Sequence, residues 1–230
     1  MDCFKEYEQE QTKFFKACYD FLLKLSQLLG RGQFIVNTAM VFVLKVSRTC
    51  DFEVLNRYIL SAAAFHLAAK TKDEPVTLSR LAESFIRLEK ARNGGFSKIS
   101  ASINIPKGIR EEYEKRIELE ELEILSSIGF DCDIVLPNTY IAQIARKFEF
   151  GGTSLEKYSY SFLNDSFQTL VYLCHHPKII AATCVYMSLT FHTKKQLPVK
   201  ELPQDWFTQF DPELELDSIL DAKNIIKTIY

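Results

Sequence analysis

Two charged residues occupy places where an apolar helix face would exclude them. On a helical wheel at about 100° per residue, Ile117, Ile124, Leu125 and Ile128 form one arc, and Glu121 falls inside it. A carboxylate on such a face is costly unless it is paired. Lys70 closes the stretch Asn56–Lys70, NRYILSAAAFHLAAK, which is apolar on nearly every side. A cation there suits the negative end of a helix. Lys70 and Glu121 could satisfy each other within the chain, or Lys70 could serve only as a cap. In either case the chemistry is charged hydrogen bonding, which recognises and makes no bonds.

The other reactive residues do not converge on a reaction. His175-His176-Pro177 lacks a third ligand at helical or loop spacing, so it reads as a turn and no metal is expected. Asp131-Cys132-Asp133 matches a nucleotide-sugar site only as a bare tripeptide, and Asn164-Asp165-Ser166 has no partner that suggests catalysis. Gly151-Gly152 reads as a turn, and no glycine-rich phosphate loop is present. Glu111, Glu112, Glu114, Lys115 and Arg116 read as a solvated helix face with i,i+4 pairs. No catalytic residue, cofactor or metal is expected.

Composition narrows the class further. The 230 residues are 47% apolar, enough to bury one large core or two smaller ones. The formal net charge is −2 and Lys and Arg are scattered between acids, which argues against direct nucleic-acid binding. The six cysteines, Cys3, Cys18, Cys50, Cys132, Cys174 and Cys184, form no Cys-x-x-Cys pair, so reduced thiols in the nucleus or cytoplasm are expected. MDCFKEYEQEQ has acids where a signal peptide needs a basic and then an apolar stretch, and the run Ile179–Leu189 is too short to span a bilayer. A soluble intracellular protein without a membrane partner is expected.

The positioning elements are all helices. Phe14, Cys18, Leu22, Leu25 and Leu29, widened by Phe15 and Phe21, predict a first amphipathic helix that stops at Gly30-Arg31-Gly32. Asn37–Val46 predicts a second, Asn56–Lys70 the buried third, and TLSRLAESFIRLEKA a fourth capped by Thr77. The Asn93–Gly108 segment reads as a long surface loop, and Ile109–Ile128 as a charged helix ending at Gly129. Asn138–Phe148, Ser154–Cys174, Pro177–Phe191 and Leu214–Tyr230 follow with helical spacing. The stretch Pro177–Phe191, PKIIAATCVYMSLTF, is a second helix rich in small apolar residues. It aligns with the first by matching Ile59 with Ile180, Ala63 with Cys184 and Phe65 with Tyr186. An all-α chain with one helical domain repeated over 1–134 and 135–230 accounts for this economically.

The first repeat resembles a cyclin box, most closely those of the transcription cyclins of the K, T and L type. LGRGQFIVNTAMVFVLKV followed by YILSAAAFHLAAKTKDEP is similar to that family's Thr-x-Ala helix, its Ala-rich central helix and its Lys-x-Glu-Glu-x-Pro turn. ELEILSSIGFDCDIVLPNTYI is similar to the family's Glu-x-x-x-Leu-x-x-x-x-Phe-Asp-Leu and the Pro beyond it. YSFLNDSFQTLVYLCHHPKIIAATCVYMSL and DWFTQFDPELELDSI continue the likeness in the right order.

The resemblance implies two tandem five-helix cyclin boxes, with a leading helix before the first. It also implies a non-catalytic subunit that activates a cyclin-dependent Ser/Thr kinase acting on the RNA polymerase II tail in the nucleus, with no obligate homo-oligomer. By the same resemblance the kinase-binding residues are Lys70, Glu121, Leu125 and Phe130, with Asp73 and Glu74 in the turn that matches the family's acidic pair. An internally paired Lys70 and Glu121 can still bond to a partner's backbone. The sequence departs from the pattern at Lys72, where an acid is usual, at Thr71, and at Lys45 and Val46, which replace Arg-Phe. The Met-Arg-Ala-Ile-Leu docking patch of cell-cycle cyclins is missing from the first helix. The alternative is a TFIIB-like transcription factor, which uses the same doubled fold to bind promoter DNA and proteins; the acidic balance counts against it.

Overall fold

The computed structural model describes residues 2–51, 54–94, 104–198 and 201–230. Among them are eleven α-helices, a closing 3-10 turn and no strand. The chain divides into two compact units, Met1–Ile134 and Val135–Tyr230.

In the first unit α1 (Asp2–Leu29), α2 (Gln33–Val46), α4 (Leu78–Gly94) and α5 (Lys107–Ser127) all pack against α3 (Arg57–Thr71). Every residue of α3 from Ile59 to Ala69 is buried. Its alanines, Ala62, Ala63, Ala64, Ala68 and Ala69, let four neighbours approach its backbone closely, as a helix without a polar stripe requires. Asn56 starts it, its side chain accepting from the backbone N–H of Tyr58 and Ile59 at 3.2 and 3.3 Å. α1 buries Phe14, Phe15, Cys18, Phe21, Leu22, Leu25 and Leu29, the expected stripe. It begins well before Phe14 as one continuous helix. The Glu- and Gln-rich start is helix-forming but carries no apolar period to announce it. Gly30, at φ 64°, ends it in the left-handed region. The loop expected over Asn93–Gly108 lies largely outside the described residues, although its first two residues belong to α4 and its last two to α5.

The second unit places α6 (Asn138–Lys147), α7 (Ser154–Ser166), α8 (Val171–Cys174) and α11 (Leu216–Ile226) around α9 (Pro177–Lys195). The helix expected over Ser154–Cys174 is broken in two. Thr169 explains the break: its Oγ1 donates to the Ser166 carbonyl at 2.7 Å and accepts from the Val171 N–H at 3.3 Å, so it replaces the helical ladder and starts α8. Counting α7 and α8 as one interrupted segment, and adding the short α10 (Trp206–Phe210), this unit also has five helical segments. The last expected helix, Leu214–Tyr230, tightens after Ile226 into a 3-10 turn over Lys227–Ile229.

The five described cysteines Cys18, Cys50, Cys132, Cys174 and Cys184 are free thiols; the Cys3 side chain lies outside the described residues. Cys18 in α1 and Cys184 in α9 are completely enclosed. Burial pushes the Cys18 thiol up to about 12 and the Cys184 thiol strongly up as well. No helix among the described residues is long and apolar enough to cross a membrane.

Candidate functional site

The site forms where the last turn of α3 meets the middle of α5. α5 is charged along most of its length and buries only a narrow stripe, Ile117, Glu121 and Ile124. Glu121, only 7% exposed, therefore replaces an apolar residue in the contact with α3. Its carboxylate is met on both oxygens. Lys70 Nζ donates to Oε1, and His66 Nδ1 lies 2.7 Å from Oε2. The second ring nitrogen of His66 lies 3.1 Å from the carbonyl of Val76, in the turn that follows α3. Burial pushes the Glu121 carboxyl upward, but the hydrogen bonds from His66 and Lys70 outweigh it and hold the group below the usual carboxylate range.

Lys70 and Glu121 are thus brought together, and the two readings left open for Lys70 resolve to pairing. Its side chain remains 44% exposed. An ammonium has three donors, and Glu121 takes one. The pair is therefore a buried anion presenting a cation at the surface.

The turn after α3 is ordered by its own backbone. Asp73 stands at φ 56°, and Glu74 N–H returns to the Ala69 carbonyl at 2.9 Å. Asp73 and Glu74 are both exposed, with Glu74 3.8 Å from Arg31. Lys72, which replaces the usual acid, turns inward: its Nζ donates to the Ile134 carbonyl at 3.2 Å and lies 5.4 Å over the Phe34 ring. Lys45 bridges to Asp131 at 3.2 Å, and this hydrogen bond, with one from the Asp133 N–H, holds the Asp131 carboxyl below its usual range.

At the exit of α5, Gly129 and Phe130 both take left-handed backbone angles, φ 63° and 60°. The Phe130 N–H reaches the Leu125 carbonyl at 2.8 Å and closes the helix. The conformation disfavours any side chain by about 1–2 kcal/mol. Phe130 adopts it while 66% exposed, so the burial of its own side chain does little to repay the strain. Leu125 is part-exposed beside it.

Sequence reasoning missed three residues here. Leu119 and Leu122, 64% and 56% exposed, continue the Leu125 line along α5 at a spacing of three. His66 was legible only as one residue of an apolar helix; its position four before Lys70, hence on the same face, is the signal that could have found it. The remaining motifs serve the fold. His176 caps α9 through Nδ1, which accepts from the Lys178 N–H at 3.2 Å, and His175 Nε2 lies 3.0 Å from the Asp221 carboxylate. Asp165 accepts from the Tyr230 hydroxyl at 2.5 Å. Among the described residues no cluster of His, Cys, Asp and Glu could hold a metal.

No family model matches the chain. Among curated proteins it is similar to Cyclin-T1-5 of Arabidopsis thaliana, 26% identical over 211 residues, which are 88% of this chain and 34% of that protein. Cyclin-T1 of Mus musculus is 22% identical over 202 residues, 86% of this chain and 26% of its own length. Cyclin-T of Drosophila melanogaster is 23% identical over 211 residues, 90% of this chain and 18% of its own. The chain thus spans about a third or less of these relatives. Among solved structures, a chain of the yeast RNA Pol II CTD kinase CTDK-1 complex superposes with a TM-score of 0.76 at 20% identity, covering 99% of this chain and 67% of that one. A chain of the CAK complex of Chaetomium thermophilum gives a TM-score of 0.66 at 11% identity, covering 97% and 64%. In its motifs, its helical fold and its relatives the chain is similar to cyclins of the transcription type.

Proposed function

We propose that the chain is the regulatory subunit of a transcription-linked cyclin-dependent Ser/Thr kinase and does no chemistry of its own. The Lys70–Glu121 pair carries this reading: a buried carboxylate whose cation is held at the surface, beside the part-exposed Leu125 and the exposed, strained Phe130. Apolar contact there would supply affinity, and a few desolvated charges would fix register. Asp73 and Glu74 extend the same surface through the turn after α3. A protein kinase works only when the Lys–Glu pair of its own N-lobe and its metal site are assembled; a rigid partner that holds its mobile helix in place favours that state.

The tail of RNA polymerase II as the substrate, and the nucleus as the place of action, are supported by the CTD kinase complex whose chain shares this fold. The test is affinity purification from the native cell, then co-expression with the kinase recovered and phosphotransfer onto a polymerase-tail peptide. A stable complex with raised phosphotransfer is expected; a chain that recovers no kinase defeats the proposal. Lys70→Ala should weaken the complex about tenfold while helicity by circular dichroism is kept. Unchanged affinity would move the contact surface elsewhere.

A further inference from the structure

His66 is the buried titratable group at this site that pairing of Lys70 with Glu121 does not require. Both of its ring nitrogens face oxygens that only accept. Nδ1 lies 2.7 Å from Oε2 of Glu121, whose carboxylate is kept ionised, and Nε2 lies 3.1 Å from the Val76 carbonyl. A neutral imidazole owns one N–H, so it would turn a lone pair toward one of these oxygens; only the imidazolium donates to both.

The buried histidine of the second unit provides the control. His192 lies 2.8 Å from the Ser188 carbonyl and 3.0 Å from the Ser154 hydroxyl. A hydroxyl can donate, so the neutral ring satisfies both partners there.

We propose that His66 is a positioning residue for the partner-binding pair: as an imidazolium it pins one oxygen of Glu121, so that the other oxygen holds the Lys70 ammonium at the surface. This rests on the reading of Lys70 and Glu121 as the kinase contact. The charged groups around it are Glu121 from α5 and Lys70 from α3 itself; Cys132 stands near Glu121, with Asp131 and Lys45 of α2 near Cys132. Among the described residues no side chain of α1, α2 or α4 bonds the ring. A ring with a single N–H leaves one of these contacts without a donor; Glu121 is then free to change rotamer, and partner affinity declines with it.

The test measures dissociation constants of the complex between the full chain and the kinase it co-purifies with, from about pH 6 to pH 8.5. Wild-type affinity should fall about tenfold across that range, the worth of a charge-assisted hydrogen bond. His66→Gln, which donates without titrating, should bind with a flat profile. His66→Phe, which fills the space without a donor, should bind weakly throughout. A purely packing role for His66 would leave the wild-type slope unchanged in the His66→Gln chain, and that result overturns the proposal. If Lys70→Ala binds like wild type, the underlying surface is wrong; if Lys70→Ala weakens binding while His66→Gln keeps wild-type affinity and slope, only the role of His66 is wrong. Should the variants fold poorly, the ring ¹H–¹⁵N spectrum of the unmodified chain decides: two protonated nitrogens on His66 are expected where His192 shows one. A single N–H on both rings at the acid end of the range refutes the assignment.

Discussion

α3 and α9 answer the same demand with different chemistry. Each is the centre of its unit, each is built from small apolar residues, and each is packed by four other helices. Aligned on Ile59 and Ile180, the positions of His66 and Lys70 in α3 fall on Met187 and Phe191 in α9. The second unit surrounds Phe191 with Tyr158 at 4.8 Å and Phe162 at 6.3 Å between ring centroids. The first instead brings a histidine, a lysine and a glutamate into contact across α3 and α5. A buried ion cluster of this kind is often no more stable than an apolar one of equal volume. The fold can therefore be completed without the charges, as α9 shows, and their presence in α3 points to an outside demand.

The comparison can be broken most severely at Glu121. Glu121→Ala leaves Lys70 and His66 without their shared acceptor, and should destabilise the first unit by about 3 kcal/mol in urea unfolding while abolishing partner binding. Acid should mimic this in part. The Glu121 carboxyl is held below its ordinary value, so its contribution is complete above that value and is lost as pH falls through the folded one. Stability should drop below about pH 5 in the wild type and less steeply in Glu121→Gln, read from urea midpoints.

Phe130 sharpens the contrast on the backbone side. The other non-glycine left-handed residues, Asp73 in the first unit and Glu149 and Gln196 in the second, are polar, whereas Phe130 is an exposed phenylalanine. Phe130→Gly should raise stability by roughly 0.5–1 kcal/mol and lower partner affinity, an opposition that a purely structural residue would not show. The smallest stability change is expected from rebuilding the site in the manner of α9. His66→Met, Lys70→Phe and Glu121→Leu together should leave the melting temperature within a few degrees of the wild type, yet remove partner binding.

Much of this was legible in the chain because composition and period carry it. α3 and α9 declare themselves by lacking a polar stripe, and Glu121 by falling inside an apolar arc. What stayed hidden depends on contacts that sequence spacing does not encode. His66 gains its role from a carbonyl ten residues on and a carboxylate fifty-five residues on. The break between α7 and α8 is the work of one hydroxyl, Thr169, and α10 is five residues long, too short to show a period. The sequence at the start of α1 is rich in Glu and Gln, so periodicity had little to register before Phe14.

The enclosed thiols of Cys18 and Cys184 turn the two units into clocks. A thiol that is neither ionised nor reachable cannot be alkylated until its helix opens, whereas Cys50 and Cys174 are exposed and react at once. Mass-resolved labelling over time therefore reads the opening of each unit separately in one sample. With the kinase bound, the protection of Cys18 should lengthen more than that of Cys184, showing which half of the chain the partner holds shut.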